Sequence, residues 1–150
     1  MSVPKWRRDT HESGTKKGWL DVIIAAEKLL KHTIQKVNGA SGRAYFPKSE
    51  TFTKRIPLLQ KAEKVYHDLR KANYIRVRDR RDYERRHDLQ IEALLAVEDI
   101  YAYLTIYNEE KPIVHLEYWV GLVYDTERLI KAWAKSDEER YYEKVKSADE

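Results

Sequence analysis

The densest chemistry in this chain is guanidinium. Residues 73–86 read NYIRVRDRRDYERR, in which only three acids, Asp79, Asp82 and Glu84, lie among Arg76, Arg78, Arg80, Arg81, Arg85 and Arg86. A guanidinium fork pairs bidentately with phosphate and stacks on bases, which the lysine ammonium does less well. Arg70 and Lys71 stand just before the run. Two readings are open. The run is a solvated connection whose acids partly pair its arginines, or it is a surface for a polyanion such as RNA. On the second reading Arg78, Arg81 and Arg85 share one face if a helix begins early. Tyr74 and Tyr83 lie among the arginines, where base stacking is the alternative to plain packing. The candidate RNA-binding residues are Arg70, Lys71, Arg76, Arg78, Arg80, Arg81, Arg85 and Arg86. Lys5, Arg7 and Arg8 of the N-terminal segment join them.

Other chemistry finds little support. His11, His32, His67, His87 and His115 are scattered through the chain, and no two form a His-x-x-x-His pair. Glu84 and His87 have the Glu-x-x-His spacing of di-iron bundles, but two copies are needed and flanking arginines oppose a cation. The absence of cysteine removes disulfides, thiolate ligands and cysteine nucleophiles. GASGRAYF lacks the lysine and hydroxyl of a phosphate loop, and nucleophile elbows and kinase motifs are missing. The expectation is a protein that is not an enzyme, with no metal and no cofactor.

The elements that must position the arginines are helical. Glycines and prolines separate four apolar patterns of helical period. The first spans about 20–37, with Leu20, Ile23, Ile24, Leu30, Ile34 and Val37 as its stripe and Asn38-Gly39 as its stop. The second spans about 50–73 through Phe52, Ile56, Leu59, Ala62, Tyr66 and Leu69, with Pro57 as a kink or a first turn. The third, about 80–107, is the most apolar, and Leu89, Leu94, Val97, Tyr101 and Leu104 carry its stripe. The fourth spans about 112–134, with Pro112 in its first turn, Gly121 at a close helix approach, and Leu116, Trp119, Val120, Val123, Leu129, Ile130 and Trp133 on its face. Four amphipathic helices on short connections predict an all-α, up-down-up-down four-helix bundle over 20–135. A flexible basic arm over 1–19 precedes it and a charged tail over 136–150 follows.

Charge is polarised along the chain. Residues 1–90 carry 22 Lys/Arg against 11 Asp/Glu, whereas 91–150 carry 7 against 14. That asymmetry suits nucleic-acid contact at the basic end, and equally head-to-tail pairing between copies. Trp119, Trp133 and the tyrosines of the last two helices exceed the needs of one thin core, which predicts a homo-oligomer. No apolar stretch approaches a membrane span and no signal-peptide core is present, so a soluble, cytoplasmic protein is expected.

From the second helix onward the order of residues resembles a known family. F-T-K-R-I-P-L-L-Q-K-A-E-K-V-Y-H-D-L-R-K-A-N-Y is followed by R-R-H-D-L-Q-I-E-A-L-L-A-V-E-D-I-Y-A-Y-L and then H-L-E-Y-W-V-G-L-V-Y-D-T-E-R-L-I-K-A-W. This is similar to the Avd (accessory variability determinant) proteins of diversity-generating retroelements and to their relatives in ribosomal-RNA intervening sequences. Ala72-Asn73 and the Leu129 to Trp133 pattern L-I-x-x-W carry most of the likeness, which covers about 20–135. M-S-V-P-K at the start and the W-x-K-S-D pattern, Trp133 to Asp137, resemble a subgroup from phages and gut-type bacteria. The resemblance implies a ring of bundles, typically a pentamer, that binds a reverse transcriptase and its template RNA for mutagenic cDNA synthesis. The alternative is a bundle of the intervening-sequence or phage type that oligomerises without a polymerase partner. The resemblance transfers no contact residues; the arginine assignment comes from charge.

Overall fold

A computed structural model describes residues 17–39 and 46–146. Four long helices account for most of them: α1 (Lys17–Asn38), α2 (Ile56–Tyr74), α3 (Arg80–Glu110) and α4 (Leu116–Arg140), with a short α5 (Tyr142–Lys146) after the last. Each long helix packs on two neighbours, in the cycle α1–α2–α3–α4–α1, and consecutive helices run antiparallel. This is the up-down-up-down bundle that the periodicity predicts. No strand occurs among the described residues.

The buried seams are the physical reason for the arrangement. In α1, Val22, Ala26, Leu29, Thr33 and Val37 recur every three or four residues and are buried. The stripe expected there is partly misplaced: Ile34 is exposed, and Val22 and Leu29 take the core instead. In α2 the seam is Leu58, Ala62, Val65, Leu69 and Ala72, while Phe52, assigned to it from spacing, is 82% exposed. Phe52 lies before α2, in a π-helical turn (Thr51–Arg55) that follows a 3-10 turn (Lys48–Glu50). Pro57 falls in the first turn of α2, directly after that π-helical turn, whose Ile56 N–H bonds to the Thr51 carbonyl.

Ala93, Ala96, Val97, Ile100 and Leu104 bury one face of α3, and Trp119, Val123, Ile130 and Trp133 bury one face of α4. Both tryptophans are core residues, so the expectation that they form a partner surface is corrected. Ends are tied by specific polar contacts. Gly39 adopts φ 84° and donates from its N–H to the Gln35 carbonyl (2.7 Å), the left-handed stop expected at the end of α1. Asn108 accepts from the Ile113 N–H at 2.8 Å and folds the α3–α4 connection back.

Besides the later start of α2, further boundaries differ from the sequence reading. Pro112 lies in the connection rather than in the first turn of α4, which begins at Leu116 after His115 in a left-handed conformation. Helix α4 continues beyond 135 to Arg140 because Asp137 is buried inside the bundle. Helix α1 begins at Lys17, inside the segment assigned to the arm. Gly121 makes no close helix approach, since a Cβ there would meet nothing within 4 Å. No helix among the described residues is long and apolar enough to cross a membrane.

Candidate nucleic-acid interface

The arginine run occupies the corner where α2 ends and α3 begins. Its backbone is set by two aspartates. Asp79 is the N-cap of α3, and its Oδ1 accepts from the Asp82 N–H at 2.9 Å. This satisfies one of the donors left open at a helix start. Asp82 is buried and accepts from both the backbone N–H and the Nε of Arg78, each at 3.2 Å. The hydrogen bond from the Arg78 backbone, the Arg78 side chain and the charge of Arg85 hold the Asp82 carboxyl below its ordinary pKa. Burial pushes the other way, second only to the backbone hydrogen bond, and the lowering influences together outweigh it.

With the backbone so fixed, the cations divide into three groups. Arg70, Lys71, Arg76, Arg78, Arg81 and Arg85 are exposed around the corner. Arg70 lies over the Tyr66 ring at 5.5 Å, and Arg78 is held by Asp82 although most of its side chain faces solvent. Arg80 is half-buried and pairs with Glu84 at 2.9 Å. Arg86 differs from all of these.

The Arg86 guanidinium is 1% exposed. Its Nε and Nη2 donate to the two oxygens of Asp137 at 2.6 and 3.0 Å, and its Nη1 donates to the Ile75 carbonyl at 3.2 Å. It lies over the Trp133 ring at 4.9 Å. Gln90 donates to the same carboxylate at 2.8 Å. Burial pulls the Arg86 pKa down, and the Asp137 charge and hydrogen bonds push it back up. A side chain so enclosed has no surface to offer a phosphate. The assignment of Arg86 as an RNA contact is therefore corrected: it ties α3, α4 and the α2–α3 connection together.

Tyr83 is corrected in the same way. It is buried, stacked on His87 with ring centroids 5.7 Å apart, and its face is not free for a base. Tyr74 is 75% exposed and is available. Lys5, Arg7 and Arg8 lie outside the described residues.

Between α2 and α3 the corner opens into a cleft of about 860 Å³ lined by Lys71, Tyr74, Ile75, Arg76, Arg78, Asp82, Arg85, Asp88 and Leu89. Sequence reasoning found its cations but not Ile75, Asp88 or Leu89. Those three carry no motif, and only the turn of the chain at 75–79 brings them together. Asp79 as a helix cap was legible in the pattern of an aspartate directly before a helical stripe. Asp137 gave no signal, because an acid in an acidic tail reads as solvated. No group of three or more His, Asp or Glu among the described residues is placed to hold a metal ion.

In comparisons with known proteins the chain matches no family model, and no curated protein or solved structure is significantly similar to it.

Proposed function

We propose that this protein is a non-catalytic RNA-binding bundle that works as a homo-oligomer, and that its partner is a reverse transcriptase with its template RNA. The observation that carries the RNA reading is the exposed cation cluster of Lys71, Arg76, Arg78, Arg81 and Arg85 on one corner. Of these, Arg76, Arg81 and Arg85 make no ion pair among the described residues, and only Arg85 has its charge partly offset, by the nearby Asp82 carboxylate. Such a corner attracts a phosphate backbone through counterion release. Arginine rather than lysine at these positions favours a phosphate ligand over a diffuse acidic surface. The reverse transcriptase, the ring and the number five rest on the resemblance to Avd proteins alone.

The test is the salt dependence of binding to a short unstructured RNA. Replacing Arg76, Arg81 and Arg85 together with glutamine should leave the fold intact, since exposed substitutions change stability by roughly 0.5 kcal/mol or less each. Affinity should fall, and the slope of log K against log salt should flatten by about 0.7 for each phosphate that is no longer neutralised. An unchanged affinity and slope would return the run to a solvated turn. Co-purification of a reverse transcriptase with the protein from its own cells tests the polymerase partner separately.

A further inference from the structure

We infer that the cleft at the α2–α3 corner takes an unstacked nucleotide of single-stranded RNA, with Tyr74 as the stacking platform, so that the protein selects single strands over duplex. The inference rests on the RNA-binding reading above and specifies what that surface holds.

A surface built only to attract phosphates needs cations and nothing else. This one has more. Tyr74, in the last turn of α2, is 75% exposed and makes no ring contact, hydrogen bond or ion pair among the described residues. Most of its ring is therefore open to solvent and to a ligand. Beside it the cleft has apolar lining from Ile75 and Leu89, both half-buried, and cations from Lys71, Arg76 and Arg85. An exposed aromatic, apolar lining and positive charge in one cleft match both parts of a nucleotide: a flat apolar base and an anionic backbone.

Asp88 adds direction. Its carboxylate is exposed in the same lining and has no partner among the described residues. It repels a phosphate and accepts from an exocyclic amino group, so the sugar–phosphate backbone is steered to the arginines and the base to the apolar lining. In an A-form duplex the base faces are stacked and the deep groove is closed to side chains, so the Tyr74 ring would have nothing to stack on.

The experiment measures fluorescence anisotropy of one labelled RNA strand, free and annealed to its complement, against the parent, Tyr74→Ala and Tyr74→Phe. The parent should bind the single strand more tightly than the duplex. Tyr74→Ala should weaken single-strand binding roughly tenfold, leave duplex binding and the salt slope unchanged, and Tyr74→Phe should restore affinity. Equal affinity of the parent for the two forms would overturn the inference, as would single-strand binding by Tyr74→Ala at the parent's level. If the arginine substitutions weaken binding but Tyr74→Ala does not, only this inference fails. If the parent binds neither form, the RNA reading fails with it.

Discussion

Arg86 and Asp137 stand 51 residues apart in sequence and meet in the interior, each 1% exposed. The pair is bidentate, and Gln90 and the Ile75 carbonyl take up further hydrogen-bonding capacity. A buried pair of this kind adds little against an apolar substitute, but removing one member strands the other charge. Arg86→Met should therefore cost about 3–5 kcal/mol in urea unfolding. Arg86→Met combined with Asp137→Leu should recover much of that loss. A double variant as unstable as the single would show that the contacts to Ile75 and Trp133 matter more than the charge. His32 gives a second residue-scale prediction. Its ring edges onto Tyr118 and Trp119, at 4.9 and 5.4 Å, and burial, aided by the charge of Lys36, holds its pKa below 6.5. The unfolded chain then binds the extra proton first, so stability is full above pH 6.5 and declines as pH falls toward the lowered value. His32→Gln should flatten this decline in denaturation midpoints measured across that window. An unaltered profile would assign it to another group; Asp82, whose carboxyl is depressed, acts only below its ordinary 3.8.

The four helices were legible because each has a seam at helical spacing, and a seam survives small errors of phase. Its exact face was less legible. In α1 both Ile34 and Leu29 fit a three-to-four spacing, and only packing against α2 and α4 decides that Leu29 is the one buried. Exposed apolar residues such as Phe52 carry the same letter as core residues, so pattern alone cannot sort them. The cation corner was legible as composition, but its division into exposed Arg76, Arg81 and Arg85 and enclosed Arg86 was not. That division depends on α4 running to Arg140 and delivering Asp137. Helix α4 also yields a prediction at this scale. Gly121 lies inside it, with open space where a Cβ would be and no positive φ. A glycine in a helix interior costs about 1 kcal/mol relative to alanine. Gly121→Ala should raise stability by about that amount and increase Tm. A loss of stability would mean that the position meets a neighbour, such as a second copy of the chain.

At the scale of the whole molecule, the two ends and the outer faces differ in character. The α2–α3 corner is basic, while Glu138, Glu139 and Glu143 lie on the α4 side of the same end. The outer face of α3 carries a third feature. Ile91, Leu95, Ala102 and Ile106 fall on one side of the helix and are exposed, with Leu95 at 51% and Ile106 at 52%. Tyr101 and Tyr124, 5.6 Å apart and also exposed, continue this apolar surface onto α4. The proposed homo-oligomer gives this stripe a role that the two buried tryptophans cannot have. A row of exposed apolar side chains along one helix is the kind of surface that marks an interface. If copies associate through it, Leu95→Lys with Ile106→Lys should place like charges within the contact and dissociate the assembly. The bundle itself should be undisturbed, because both positions already face water. Sedimentation at micromolar concentration reads the change directly: an oligomer for the parent and a monomer for the double variant. RNA binding separates the surfaces further. On the proposed reading each subunit presents one basic corner, so an oligomer would bind a long RNA through several corners at once, with an affinity above that of a single corner. The double variant should therefore keep the parent's affinity for a short strand that fills one corner, and lose affinity for a long one. A parent that sediments as a monomer would remove the stripe, the ring and the multivalent effect together, and leave the corner as a single-site binder.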